Sequence, residues 1–361
     1  MSLFLHSLSL FQFKNYDFRK YRFTNRITGI CGRNGAGKTN LLDAIHYLCF
    51  TKSYFGRNDA GNVMHGSQGF RLEGHLLLNG KEEKAVCILR ETGKKEFLLN
   101  DESYSRFSKH IGRYPCVVIA PDDVELIIGG SEERRKFVDT ILSQLDAAYL
   151  QALINYTRIL QQRNSFLRSY ADGYSRDLSV LDVLDEQLVK EGTIVFEKRA
   201  AFLTAFLPEA SRLYAEISQQ EENVSLVYDS ELYTAGLAEL LRITRQKDLV
   251  VQRTSAGVHR DDLQFNLGKQ TFKSIASQGQ RKSLLFALKL AEMNMLKKEK
   301  GFSPFLLLDD VFEKLDEERI SNLLANVCGD EDTQIFITDT NCQRLEDGLH
   351  KIGHEGQIIR L

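Results

Sequence analysis

The sequence lacks a charge excess of either sign. Its 47 Lys and Arg stand against 49 Asp and Glu, a formal net charge of −2 in 361 residues. No basic field covers the chain, so any nucleic-acid contact has to come from a local patch rather than from overall charge. There is no Cys-x-x-Cys pair, and the six cysteines (Cys31, Cys49, Cys87, Cys116, Cys328, Cys342) share no metal-ligand spacing with the eight histidines. A structural zinc site is therefore excluded, and the thiols are expected to be scattered, buried and reduced. No uninterrupted apolar run approaches the ~18 residues of a membrane span, and the first ten residues have neither the basic start nor the continuous apolar stretch of a signal peptide. A soluble cytoplasmic protein without a membrane partner is expected. Low-complexity tracts, internal repeats and serine or cysteine nucleophile motifs are likewise missing. With four prolines, 43 % hydrophobic and 27 % charged residues, the composition is that of a globular protein of one large or two to three modest domains.

Apolar and polar residues alternate from Ser2 to Phe13, and Ile27 to Cys31 is a second short strand signal. The loop Gly32 to Gly37 follows, and Leu41, Leu42, Ile45 and Leu48 then fall on one helical face. Asn79-Gly80 between Phe70–Leu78 and Ala85–Leu89 predicts a hairpin. A buried strand is predicted between Pro115 and Pro121. Beyond it, helical spacing continues to about Leu241, with Leu150, Leu153, Ile154, Thr157 and Leu160, and later Phe196, Ala200, Leu203 and Phe206, as examples. The expected organisation is an α/β lobe over 1–121 and 250–361, with a helical arm inserted over 122–249. The apolar run Phe305–Leu308, a helix over about 316–327 and a strand over 334–338 complete the reading.

Three motifs carry chemistry. Gly32-Arg33-Asn34-Gly35-Ala36-Gly37-Lys38-Thr39 is a P-loop. Its glycines let the backbone approach a polyphosphate, the following helix N-terminus attracts the anion, Lys38 reaches the β and γ oxygens, and Thr39 ligates Mg²⁺. Phe305-Leu-Leu-Leu-Asp309-Asp310 is an apolar strand ending in two carboxylates, with Asp309 expected to hold Mg²⁺ and Asp310 to orient or deprotonate the attacking water. Ser277, Gly279 and Gln280 open a helix before that strand and form a second anion site, although Ser-x-Gly before a helix is also an ordinary cap. The catalytic assignments are Lys38, Asp309 and Asp310. Residues 32–39 are the expected ATP-binding segment, with Ser277, Gly279 and Gln280 as the second anion site.

This order of P-loop, helical insertion, serine-glycine signature, strand with Asp-Asp and Leu315-Asp316 resembles the ABC-type ATPase heads. In them the signature of one subunit completes the ATP site of its partner. Within that superfamily, Leu10-Phe-Gln-Phe-Lys-Asn-Tyr16, residues 32–40, Ala120-Pro-Asp-Asp-Val-Glu125, Gly130, Arg134-Arg135-Lys-Phe-Val-Asp139, Gln162-Arg163-Asn164, Gly257-Val-His-Arg-Asp-Asp262, the Ser277 signature and Leu308-Asp-Asp-Val311 resemble the RecF family of bacterial recombination mediators. The resemblance implies an ATP-dependent homodimer on gapped DNA or single-strand/double-strand junctions, action with RecR and RecO, help in loading RecA, slow ATP hydrolysis and a role in the SOS response. It departs from ABC patterns at four points. Asp310 stands where Glu is common and Arg281 where a second Gln is common. No histidine follows the 334–338 strand, so Thr338, Asp339 or Thr340 takes the switch position, and no glutamine lies near Pro121.

For DNA, the leading candidates are Arg19, Lys20, Arg22 and Arg57. Further clusters are Arg26, Lys94-Lys95, Arg134-Arg135-Lys136, and Arg242, Arg245 and Lys247, each with the bland reading of a solvated surface. His259-Arg260 reads as a polar turn leading into a strand. A transport-ATPase subunit and a non-catalytic ATP-binding module are the alternatives, and a long-armed SMC protein is excluded by length.

Overall fold

The computed structural model describes residues 2–56, 58–174, 177–218, 222–310, 332–351 and 356–361. In chain order the strands are β1 Leu3–Phe13, β2 Tyr16–Arg22, β3 Ile27–Cys31, β4 Phe70–Leu78, β5 Lys81–Leu89, β6 Lys95–Leu99, β7 Glu102–Ser103, β8 Cys116–Ile119, β9 Val224–Asp229, β10 Asp262–Leu267, β11 Gln270–Thr271, β12 Phe305–Leu308, β13 Ile335–Asp339 and β14 Gln357–Arg360. The helices are α1 Lys38–Phe50, α2 Glu125–Ile128, α3 Ser131–Leu145, α4 Ala147–Ala171, α5 Ser179–Ser218, α6 Leu237–Val251, α7 Phe272–Ile275, α8 Gln278–Lys300 and α9 Cys342–Lys351. The helix expected over 316–327 lies outside the described residues.

The chain divides into two compact units, Met1–Asp123 with Leu288–Leu361, and Val124–Ala287. The first unit is the expected α/β lobe and holds two sheets. One is antiparallel in the order β2-β1-β4-β5-β6-β7, and the other runs β14-β3-β13-β12-β8 with every pair parallel. β3, β8, β12 and β13 are buried throughout. Their continuous apolar runs follow from a parallel sheet being covered on both faces. α1 touches β4 and β5 of one sheet and β13 of the other. Only Thr39 and Asn40 of its residues are not buried, so the single apolar face read from the sequence becomes a helix enclosed all round. The predicted hairpin is present: Leu78 pairs with Lys81, and Asn79 and Gly80 both take positive φ, which a two-residue type I′ turn requires.

The second unit is built on α4 packed along the long α5, with α6 against both. The chain leaves the first unit within two residues of the expected boundary but returns at Leu288, not at 250. β10 pairs with β9 from Asp262↔Asp229 to Leu267↔Val224, which draws residues 250–287 into the arm. Alternation along β10 announces a strand but not which sheet it joins.

The cysteine expectation needs correction. Cys31 and Cys342 form a disulfide across 311 residues of sequence. Cys31 ends β3, and Cys342 opens the helix after β13, the parallel neighbour of β3. Parallel pairing brings the two together, so sequence spacing carries no trace of it. Cys49, Cys87 and Cys116 are buried thiols outside any disulfide, as expected, and Cys328 lies outside the described residues.

Three histidines are enclosed, and burial pushes each imidazole down to about 4: His46 on α1, His110 against the carbonyl of Leu48, and His259. The unfolded chain binds protons at these sites below pH ~6.5 while the native chain does not, so their contribution is complete above that pH and falls as pH drops toward 4. Urea melts at pH 7.5 and 5.5 are expected to show roughly 1.4 kcal/mol lost per histidine. Equal midpoints at the two values would mean that these rings are open to protons in the native state.

Candidate nucleotide site

The parallel sheet places the chemistry. Because β3, β13, β12 and β8 run the same way in register, their carboxyl ends align, with Leu308 beside both Ile119 and Ile337, and Thr338 beside Ile30. Ligands bind at such an edge in open α/β sheets. Here β3 leads into Gly32 and β12 into Asp309, and β13 ends at Asp339.

From Gly32 to Gly37 the chain wraps into a loop that ends at the N-terminus of α1. Gly35 (φ +82°) has open space where a side chain would stand. Gly37 (φ +112°) is required twice, by its left-handed backbone and because a Cβ would stand 2.7–2.9 Å from Asn15 and the Tyr16 hydroxyl. Lys38 is only 5 % exposed, and its Nζ donates to the carbonyls of Gly32 (3.0 Å) and Arg33 (3.4 Å). A buried ammonium held over main-chain carbonyls, beside a helix N-terminus, makes a preformed anion cradle.

Thr39 on α1 and Asp309 after β12 meet: the Thr39 hydroxyl lies 3.0 Å from both carboxylate oxygens. Thr338 Oγ1 donates to Asp309 Oδ1 at 2.8 Å and accepts from the backbone N–H of Asp310 at 2.9 Å. Of the three residues named for the switch position, Thr338 touches both paired aspartates. The Asp339 carboxylate is taken up by Arg344 and the backbone N–H of Asn341, and the Thr340 hydroxyl donates to Asp339. Burial raises the Asp309 carboxyl above its ordinary value, with the nearby charge of Asp122 adding to the effect and the Thr338, Thr39 and Lys38 contacts opposing it. Asp310 holds a left-handed backbone, φ +45°, a conformation non-glycine residues seldom adopt outside functional turns. The hydroxyl of Thr39 and the carboxylate of Asp309 are hard oxygen donors, the set that suits Mg²⁺, which commonly takes one or two protein ligands and fills its shell with water and phosphate.

Two residues of this site escaped assignment from the sequence. Asn15 Nδ2 donates to the carbonyl of Ala36 and its Oδ1 accepts from Asn40, while Tyr16 donates to the carbonyl of Gly37. Asn15 sits in the β1–β2 turn and Tyr16 opens β2, and the motif Lys14-Asn-Tyr16 was the available signal. Near Pro121, where no glutamine stands, Asp123 accepts from the Ala120 N–H and from the Tyr54 hydroxyl, and Lys289 lies 3.7 Å away.

In the second unit, Ser277 and Gln280 form a reciprocal capping box. The Ser277 N–H donates to Gln280 Oε1 at 2.7 Å, and the Gln280 N–H donates to Ser277 Oγ at 3.2 Å. The ordinary cap is thus realised. Ser277 is exposed, and as Oγ serves there as acceptor, its hydroxyl proton is left for another acceptor.

The basic clusters separate sharply. Arg134 is buried and grips Asp262 through Nε (2.6 Å) and Nη2 (3.0 Å), and Arg135 donates to the carbonyl of Asp261. These two are corrected from DNA candidates to struts of the arm. Arg26 donates to the Thr333 carbonyl, Lys95 bridges Asp59 and the Thr51 carbonyl, Lys94 pairs with Glu96, and Arg245 with Asp182. Arg19, Lys20 and Arg22 lie exposed on the edge strand β2, and Arg242 and Lys247 are exposed on α6. Arg57 lies outside the described residues. His259 bonds the Tyr156 hydroxyl (2.7 Å) and the Thr254 carbonyl (3.1 Å), which fits the reading as a structural turn.

The profile of the RecF/RecN/SMC N-terminal domain family matches residues 4–355. The chain is 42 % identical over 342 residues to the DNA replication and repair protein RecF of Flavobacterium johnsoniae, covering 95 % of each, and 40 % identical over 360 residues to that of Bacteroides thetaiotaomicron, covering 99 % of this chain and 97 % of the relative. A solved structure of the recombination mediator protein RecF-ATPrS in the RecFOR pathway superposes with a TM-score of 0.89 at 27 % identity, over all of this chain and 96 % of the other. An Smc head domain from Pyrococcus furiosus, at 16 % identity, covers 97 % of this chain and 92 % of its own with a TM-score of 0.54, a likeness of fold.

Proposed function

Because the chain belongs to the RecF/RecN/SMC N-terminal domain family, and within it to the RecF proteins of DNA replication and repair, we propose that it is an ATP-driven clamp on DNA in recombinational repair and replication restart. The reading rests on the Thr39–Asp309–Thr338 contact, which joins the P-loop helix, the acidic strand end and the neighbouring switch strand.

Bound Mg²⁺-ATP supplies the transferable phosphoryl group and neutralises its charge. Around it, residues 32–37 present backbone N–H groups, Lys38 turns its ammonium from the loop carbonyls toward the phosphates, and Thr39 and Asp309 hold the cation. Asp310 orients the attacking water and receives its proton, and Thr338 keeps the two aspartates in register. Ser277, Gly279 and Gln280 of a second copy complete the site in this reading, so that two nucleotides close a homodimer. ATP then favours the closed pair by binding it better than the single chain, and slow hydrolysis resets it. DNA at single-strand/double-strand junctions is the expected partner, contacted through phosphates without sequence preference. Action with RecR and RecO, help in loading RecA and a part in the SOS response complete the proposal. Among the described residues no helix is long and apolar enough to cross a membrane, and a cytoplasmic site of action is part of the same proposal. Membership of this family stands against the transport-subunit alternative.

Light scattering on the Asp310→Asn variant without nucleotide, with ADP and with ATP tests the clamp. The expected result is a doubling of mass with ATP alone, since nucleotide is bound but not cleaved. One-chain mass in all three conditions, with ATP binding confirmed, would defeat nucleotide-driven closure.

A further inference from the structure

The open face of the antiparallel sheet carries a feature that the ATP chemistry does not use. On β1 and β2, Phe11 and Phe18 are direct cross-strand partners, 45 % and 61 % exposed. Partners in an antiparallel pair project to the same face. Their face is not the one that packs inward, because their neighbours Leu8 and Leu10 are wholly buried. β2 is also an edge strand, so among the described residues no further strand covers the rings from that side.

Cations bracket the pair. On the same face Lys20 stands opposite Ser9, Arg22 opposite Ser7, and Arg71 on β4 opposite Phe11. Arg71 is matched by Glu73 at 2.5 Å, whereas no carboxylate among the described residues pairs with Lys20 or Arg22. Two exposed phenylalanines at paired positions exceed the lone apolar residue that a surface ordinarily tolerates. Flat rings with two unmatched cations next to them on the same face complement a ligand that carries both flat apolar faces and anionic groups, as a nucleic acid does when its bases are unstacked. A duplex keeps its bases inside and offers the rings nothing, while still satisfying the cations.

We propose that Phe11 and Phe18 form a stacking platform for unpaired bases, with Lys20 and Arg22 holding the flanking phosphates, so that this face takes the single-stranded part of a junction. The inference rests on the DNA reading above and adds to it the choice of strand state.

The test is fluorescence anisotropy of the full chain with two labelled probes, an oligothymidylate longer than a ~4–16-nucleotide binding site and a duplex of equal length. The Phe11→Ala/Phe18→Ala variant is expected to lose oligothymidylate affinity about tenfold or more while duplex affinity holds. Phe11→Tyr/Phe18→Tyr keeps the rings and is expected to bind both probes as the parent does. Lys20→Glu/Arg22→Glu should weaken both. Unchanged oligothymidylate binding by the alanine variant would overturn the platform, and so would an equal loss on both probes or failure of the tyrosine variant to retain binding. A parent chain that binds neither probe, with or without ATP, would instead sink the DNA reading itself. Loss of ATP-dependent dimerisation in the alanine variant with single-strand binding intact would assign the face to a second copy of the chain and refute the proposal.

Discussion

Ser277→Arg, introduced beside Asp310→Asn, is expected to keep the chain at one-chain mass with ATP, its association about a hundredfold weaker or worse, while the affinity of a single chain for ATP stays unchanged. The residue stands at the N-cap of α8, exposed, in a capping box with Gln280. Arginine removes the cap and sets a long side chain over the N-terminus where the proposal puts the partner's phosphate. Losing the cap costs about 1 kcal/mol, so Ser277→Ala serves as the control: it loses the cap without adding bulk and should still dimerise measurably. Light scattering and a nucleotide-binding titration read the two effects separately. Normal dimerisation of Ser277→Arg would end the model of two shared half-sites, whatever the chain's ATP affinity.

The second large effect is structural. Arg163 is fully buried in the arm, with Nε donating to Asp185 at 2.6 Å and Nη1 donating to Asp248 at 2.7 Å and Thr254 at 2.9 Å. Asp248 is equally buried and otherwise accepts only from Ser255 in these contacts. Arg163→Met therefore strands a carboxylate away from water, and a loss of about 3–5 kcal/mol is expected in urea melts. The double variant Arg163→Met/Asp248→Leu removes both charges and should recover much of that loss, because the cost lies in the orphaned charge rather than in the missing attraction. If the double variant were as unstable as the sum of the single ones, packing around Arg163, and not its charge, would be what holds the arm.

Arg163 also shows why motif residues mislead when read one by one. Arg134, Arg135, Asp139, Arg163, His259, Asp261 and Asp262 all lie in blocks that carry the family resemblance, and the structure gathers them into the polar interior of the arm. Arg199 joins Asp139 to Asp261 there, and the Tyr228 and Ser230 hydroxyls close on Asp261. A pair of adjacent arginines has the same one-dimensional pattern whether it faces phosphate or a buried carboxylate. Only the position of Asp262, 128 residues from Arg134, decides between them.

The sequence by itself determined the phosphate-binding loop, the acidic strand end, the hairpin at Asn79-Gly80 and the helical insertion. Each is written in adjacent residues, where periodicity, glycine and chain direction act over a few positions. The tertiary structure decided what depends on distant partners: the return of the chain at Leu288, the Cys31–Cys342 bridge, Thr338 as the residue linking the two aspartates, Asn15 and Tyr16 beneath the loop, and which cations stay free. Register between strands and the burial of charge are set by contacts across hundreds of residues, and no local pattern records them.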